Sequence, residues 1–103
     1  MTDRELLELA AKAAGIVGID GVYPIARDSS GECYFWNPLT DDGDALRLAV
    51  KLEMNVDIGI YGVEAAIIAD DQRISAEEAL RQDPYAATRR AIVRAAAEIG
   101  RTM

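Results

Sequence analysis

Apolar residues recur three and four positions apart in three stretches of this chain and alternate with polar ones in two others. Leu6, Leu9, Ala10 and Ala13 fall on one stripe with Glu5, Glu8 and Lys12 opposite, which predicts an amphipathic helix. Thr2-Asp3-Arg4-Glu5 reads as its capping box, and Gly15 supplies a left-handed residue to end it. Ala45, Leu48, Ala49 and Leu52 form the stripe of a second helix, with Arg47 and Lys51 facing water. Thr40, Asp41 or Asp42 caps it, and the surrounding acids suit the positive end of its dipole. Asp83-Pro84 opens a third helix with a carboxylate cap and a proline in the first turn, where the missing amide costs nothing. Tyr85, Thr88, Ile92, Ala95, Ala96 and Ile99 are its expected core face, and Gly100 its expected end.

The strand-like stretches lie between these helices. Val22–Arg27 and Glu32–Trp36 are rich in β-branched and aromatic residues and flank Asp28-Ser29-Ser30-Gly31, a pattern that predicts a hairpin. Pro24 places the first of these strands at an edge, and Gly15–Gly21 reads as a connector with room for a short extended piece. Val56, Ile58 and Ile60 alternate with Asp57, Gly59 and Tyr61, the period of a half-buried strand. Val63–Ala69 is almost continuously apolar and is expected to be the central strand, covered on both faces. Ser75-Ala76-Glu77-Glu78 reads as another capping box, opening one or two helical turns through Arg81. The predicted order is α-β-β-α-β-β-α, an α+β class in which helices pack against an antiparallel four-stranded sheet.

Composition narrows the picture without changing it. With 103 residues there is room for one domain, residues 1–103. The longest apolar run, Ala65–Ala69, is far too short to cross a membrane. The opening Met1-Thr2-Asp3-Arg4-Glu5 lacks the basic and apolar regions of a secretory signal. Cys33 is the only cysteine, so no intramolecular disulfide forms; a reducing cytoplasm is the expected compartment, and a small buried hydrophobe the expected role. The net charge of −7 is unevenly placed: Met1–Leu80 holds six basic and sixteen acidic residues, Arg81–Met103 five basic and two acidic. Such an acidic bulk opposes nucleic-acid binding, except through an arginine strip on the last helix.

Candidate chemistry is sparse. Asp41-Asp42-Gly43-Asp44 resembles a calcium loop only locally: placing Gly43 sixth puts Pro38 first and Ala49 twelfth, and neither offers a side-chain ligand. Asp70-Asp71 follows a strand but has no histidine or phosphate loop beside it, and reads as a polar turn. Without histidine the usual near-neutral base and the commonest zinc ligand are missing. Ser29, Ser30 and Ser75 sit in turns or caps, and no imidazole exists to activate Cys33. No catalytic, cofactor or metal residue is therefore assigned. Two surfaces remain as candidate protein contacts. Arg90, Arg94 and Arg101 project close together on the last helix, where a solvated face is the simpler reading. Tyr34 and Trp36 share one side of their strand and, with Tyr61, would form an aromatic patch unless they fill the core.

The segment Trp36-Asn37-Pro38-Leu39-Thr40-Asp41-Asp42-Gly43-Asp44, continuing to Leu52, resembles the phage ABA sandwich domain family of small tailed-phage and prophage proteins. Asp83-Pro84-Tyr85-Ala86-Ala87-Thr88-Arg89-Arg90-Ala91-Ile92 carries the same resemblance. The resemblance implies a phage or prophage origin and helices on both faces of the sheet, and carries no activity. With no catalytic constellation among the residues, the expected role is that of an accessory protein in the cytoplasm of a bacterial host that binds a bacterial or phage protein. Analogy with other small, acidic, single-domain phage proteins makes an anti-CRISPR-like antagonist of host defence the expected form. The alternatives are a small-ligand or nucleotide-binding module, an enzyme using carboxylates at the hairpin ends, and a homo-oligomeric phage structural protein. A homodimer is compatible with each.

Overall fold

Three capped helices and two antiparallel sheets make up residues 1–16, 25–27 and 30–103, the part of the chain described by a computed structural model. Helix α1 (Asp3–Ala14) starts where the Thr2 hydroxyl oxygen accepts the Glu5 amide at 3.2 Å, and it ends at Gly15, whose φ of 71° is the left-handed value expected. Helix α3 (Pro84–Arg101) begins the same way, with an Asp83 carboxylate oxygen accepting the Ala86 amide at 3.0 Å. The two helices run in the same direction. Arg90 bonds Asp3, Gly100 lies against the Leu9 carbonyl, and the Lys12 ammonium donates to the Met103 carbonyl.

Gly100 does not end α3, which runs on to Arg101. It is the point of closest helix contact: a Cβ built there would lie 2.0 Å from the Leu9 carbonyl oxygen. That approach rotates the buried face of α1 by about one residue from the expected stripe. Leu6, Leu7, Ala10, Ala11 and Ala14 are buried, whereas Leu9 and Ala13 are only half-buried. Helix α3 is enclosed on several sides, by α1, by α2 (Asp42–Lys51) and by the main sheet. Its buried set is correspondingly wide (Ala87, Ala91, Ile92, Val93, Ala95, Ala96, Ala97, Gly100), and alanine dominates because three neighbours must approach one helix. Tyr85, expected inside, is exposed one turn before the packed region begins.

The main sheet has three strands in the order β3-β4-β5: Asn55–Ile58, Gly62–Ala69 and Gln72–Ala79. Among the described residues the expected four-stranded sheet is not formed. The first hairpin, β1 (Ile25–Arg27) with β2 (Cys33–Phe35), is a separate two-stranded ribbon. The expectations for the Gly15–Gly21 connector, for the strand start at Val22–Pro24 and for Asp28-Ser29 fall on or extend into residues 17–24 and 28–29, outside the described residues. The main sheet's third strand is the segment that reads as a capping box. Ser75-Ala76-Glu77-Glu78 lies within β5, paired to β4 over the whole strand from Ala69↔Gln72 to Gly62↔Ala79. A box contributes about 1 kcal/mol, less than a full ladder plus burial of Ala76 beneath the helices.

Asp70 and Asp71 make the two-residue turn that fixes this register. Both have positive φ, 52° and 64°, as a primed hairpin turn requires. Val63, Ala65 and Ile67 of β4, with Ile74 and Ala76 of β5, face the helices. On the other face Asp57, Ile68, Arg73, Ser75 and Glu77 are exposed, and no described helix packs there. Among the described elements β4 is therefore central but covered by helices on one side only, and a second helical layer is not seen. The class is α+β.

Candidate functional site

The segment with the most distinctive wording is folded around its own polar groups. Asp41 caps α2 by accepting the Asp44 amide at 2.8 Å. Three residues into the helix, Asp44 reaches back past the cap to accept the Asn37 amide at 2.9 Å, and it is only 3% exposed. Asn37 closes the turn between them: its side-chain oxygen accepts the Leu39 amide, and its carbonyl accepts the Asp41 amide at 3.0 Å. Pro38 is fully buried in that turn. Arg47 holds the other Asp44 oxygen at 2.7 Å, and its guanidinium lies 5.9 Å from the centroid of the Tyr34 ring. From α3, Arg89 donates to the Leu39 carbonyl at 2.8 Å and to Asp42 at 2.6 Å.

Asp41, Asp42 and Asp44 are thus a cap, an interhelix ion pair and a buried acceptor. Among the described residues no group of three or more histidine, cysteine or acidic side chains is placed to hold a metal ion, and no buried side-chain polar atom lacks a partner. Asp44→Ala would leave the Asn37 amide without its acceptor and Arg47 without its closest carboxylate. We expect a loss of about 2 kcal/mol, read as a fall of roughly 10 °C in melting temperature. Asp44→Asn, which keeps one acceptor oxygen, should recover part of it.

The aromatic candidates separate by burial. Trp36 is 2% exposed and belongs to the core; it is not a contact residue, because β2 turns its Tyr34–Trp36 side inward. Tyr34 is half-buried beneath Arg47. Cys33 and Phe35 take the outward side, so Cys33 is exposed and not the buried hydrophobe its apolar neighbours suggest. Tyr61 lies in the β3–β4 turn and is 88% exposed.

The arginine candidates are engaged within the chain. Arg90 bonds Asp3 at 3.0 Å, Arg101 bonds Glu98 at 3.0 Å, and Arg94 bonds Glu78 and the Glu77 carbonyl. Each charge is balanced locally, which weakens a phosphate-binding role.

Sequence reading singled out Tyr61 but missed the rest of the β3–β4 hairpin tip and the acids beside it. Gly59 donates to the Gly62 carbonyl at 2.8 Å, which closes the turn and projects Ile60 and Tyr61. With Ile58 they expose three large apolar side chains in succession around one turn, and Ile60 is 82% exposed. The regular alternation of Val56, Ile58 and Ile60 concealed this, because it extends past the end of β3, where there is no longer a core to face. Beside the tip lies an open depression of about 720 Å³, bordered by Asp57, Glu64, Glu77 and Glu78. Asp57, Glu64 and Glu77 stand directly opposite one another across the three strands. Arg73 bonds Glu64 at 2.5 Å, and that bond holds the Glu64 carboxyl below the usual carboxylate range. The pair therefore supports the fold above the ordinary glutamate pKa and ceases to do so as pH falls through the lowered value.

Compared with protein-family models, curated proteins and solved structures, the chain matches none.

Proposed function

We propose that this is a phage or prophage accessory protein that performs no chemistry of its own and acts by docking the β3–β4 tip on another protein. A component of a bacterial defence system is the class of target we favour. The phage assignment rests on the wording of Trp36–Leu52 and Asp83–Ile92. Docking rests on one observation, the exposure of Ile58, Ile60 and Tyr61 at a turn that contributes nothing to the core. Large apolar side chains held out on a short closed turn are suited to act as anchors. The acids bordering the adjacent depression define the partner: an apolar pocket rimmed by lysine or arginine. The Arg90, Arg94 and Arg101 strip and the half-buried Tyr34 are secondary to the tip in this reading.

The test is affinity capture from the bacterium that carries the gene, followed by calorimetry with the purified partner. Tyr61→Ala should weaken binding by about 2 kcal/mol, roughly 30-fold, with little dependence on salt. Ile60→Asp should abolish binding with the melting temperature unchanged. Replacing Arg90, Arg94 and Arg101 together should leave the affinity within about threefold, after correction for lost stability. Undiminished binding by both tip variants, or turnover of a small substrate by the purified protein, would overturn the reading.

A further inference from the structure

The backbone groups of β5 fall into two sets. The two-residue turn makes Ala69 and Gln72 a hydrogen-bonded pair, so Gln72, Ile74, Ala76 and Glu78 bond β4. The amides and carbonyls of Arg73, Ser75, Glu77 and Ala79 then point to the opposite edge, with which no described strand pairs. One described side-chain bond reaches that edge, from Arg94 to the Glu77 carbonyl at 2.8 Å. The strand carries no proline, and its register with β4 is unbroken, so two of the devices that blunt an edge are missing; its charges are Arg73, Glu77 and the inward-facing Glu78, which Arg94 neutralises. Beside it runs a groove of about 530 Å³, lined by Met1 and Leu6 of the α1 region and by Arg94, Glu98 and Arg101 of α3.

We infer that β5 pairs antiparallel with β5 of a second copy of this chain, about a two-fold axis at Ser75, to form a continuous six-stranded sheet. Charge selects this register. An axis at Arg73 or Glu77 places like charges opposite each other, and an axis at Ile74 brings Asp71 over Glu77. An axis at Ala76 sets Glu77 against Ser75 and leaves its charge unanswered. With the axis at Ser75, Arg73 of each copy faces Glu77 of the other. Glu77 lies opposite Glu64 within its own chain, an unfavourable like-charge pairing, and the cation nearest to it there, Arg73, is bonded to Glu64 and acts on Glu77 only at longer range. A second copy sets a further Arg73 directly opposite Glu77. Its Ile74 and Ala76 fall on the inner side, over the groove floored by Met1 and Leu6. The Glu77 carbonyl has a second lone pair, so Arg94 need not be displaced. The two hairpin tips emerge at opposite ends of the joined sheet, which makes the dimer bivalent and leaves Ile58, Ile60 and Tyr61 outside the contact, while Glu77 at the border of the depression is shared with it.

Sedimentation velocity on the purified chain should give twice the 11.2 kDa mass. In a Cys33→Ser background, Ser75→Cys should form a disulfide-linked dimer on mild oxidation. Directly opposed residues of a hydrogen-bonded pair have Cα atoms about 5.5 Å apart, inside the disulfide range. Ala79→Cys, displaced from the axis, should not crosslink. Ser75→Pro should sediment as a folded monomer, because the amide it removes is outside the β4 ladder. A monomeric parent chain, crosslinking at Ala79→Cys and not at Ser75→Cys, or a Ser75→Pro variant that remains dimeric would each overturn the inference. If Ser75→Pro does not fold, the crosslinking pair decides.

Discussion

Gly100→Ala should lower the melting temperature by roughly 15 °C or prevent folding altogether, although it adds one methyl group to a residue inside a helix. By propensity alone the change favours the helix by about 1 kcal/mol. Packing reverses the sign. The new Cβ would lie 2.0 Å from the Leu9 carbonyl oxygen and 2.7 Å from its carbon, both backbone atoms that cannot rotate aside. Relief requires α1 and α3 to separate, which opens the contact lined by Ala10, Ala11, Ala95 and Ala96, all 4% exposed or less. We expect a net cost of about 3 kcal/mol, a large share of the roughly 5–15 kcal/mol that holds a domain of this size. Gly15→Ala is the control. Gly15 has open space around it and φ of 71°, so only backbone strain of about 1 kcal/mol applies. Urea melts that rank the two substitutions equally would show that α1 and α3 do not meet at Gly100.

Ile92→Asp should remove the cooperative unfolding transition at neutral pH. Ile92 is 5% exposed and lies between Ala91 and Val93, both fully buried, so an aspartate there has no route to water. An unpaired carboxylate in such a site costs more than about 4 kcal/mol or must bind a proton. Its folded-state pKa would lie above the unfolded value of about 3.9. The folded state then binds more protons than the unfolded one between those two values, and stability falls as pH rises through that window. Circular dichroism at pH 4 and pH 7, with the parent chain measured alongside, reads this directly. The deficit should be smaller at pH 4, and an unchanged thermal midpoint at pH 7 would refute the packing around α3.

The starts of the three helices and the end of α1 were legible in the sequence because their causes are local. Thr2, Asp41 and Asp83 each cap through a bond to an amide three residues away, and Gly15 ends α1 through its own conformational freedom. The central position of β4 was also legible in its apolar run, but the expected cover on both faces was not, since Ile68 of that run is exposed on the face that no described helix covers. The α+β class follows from these together. The partnership of each element was not legible. Ser75–Glu78 carries a helix-start signal, yet it is a strand because Asp70-Asp71 folds it back on β4, and a ladder formed with another segment outweighs a preference of about 1 kcal/mol. Gly100 reads as a helix end, and only the approach of Leu9 reveals it as a contact.

The candidate sites divide along the same line. The sequence by itself determined which residues are aromatic, acidic or basic and which turns would be tight. Tertiary structure decided which of them meet water, since exposure depends on neighbours distant in the chain. It buried Trp36, joined Arg94 to Glu78 and Arg90 to Asp3, and left Ile60 and Tyr61 exposed on a turn beyond the end of the core.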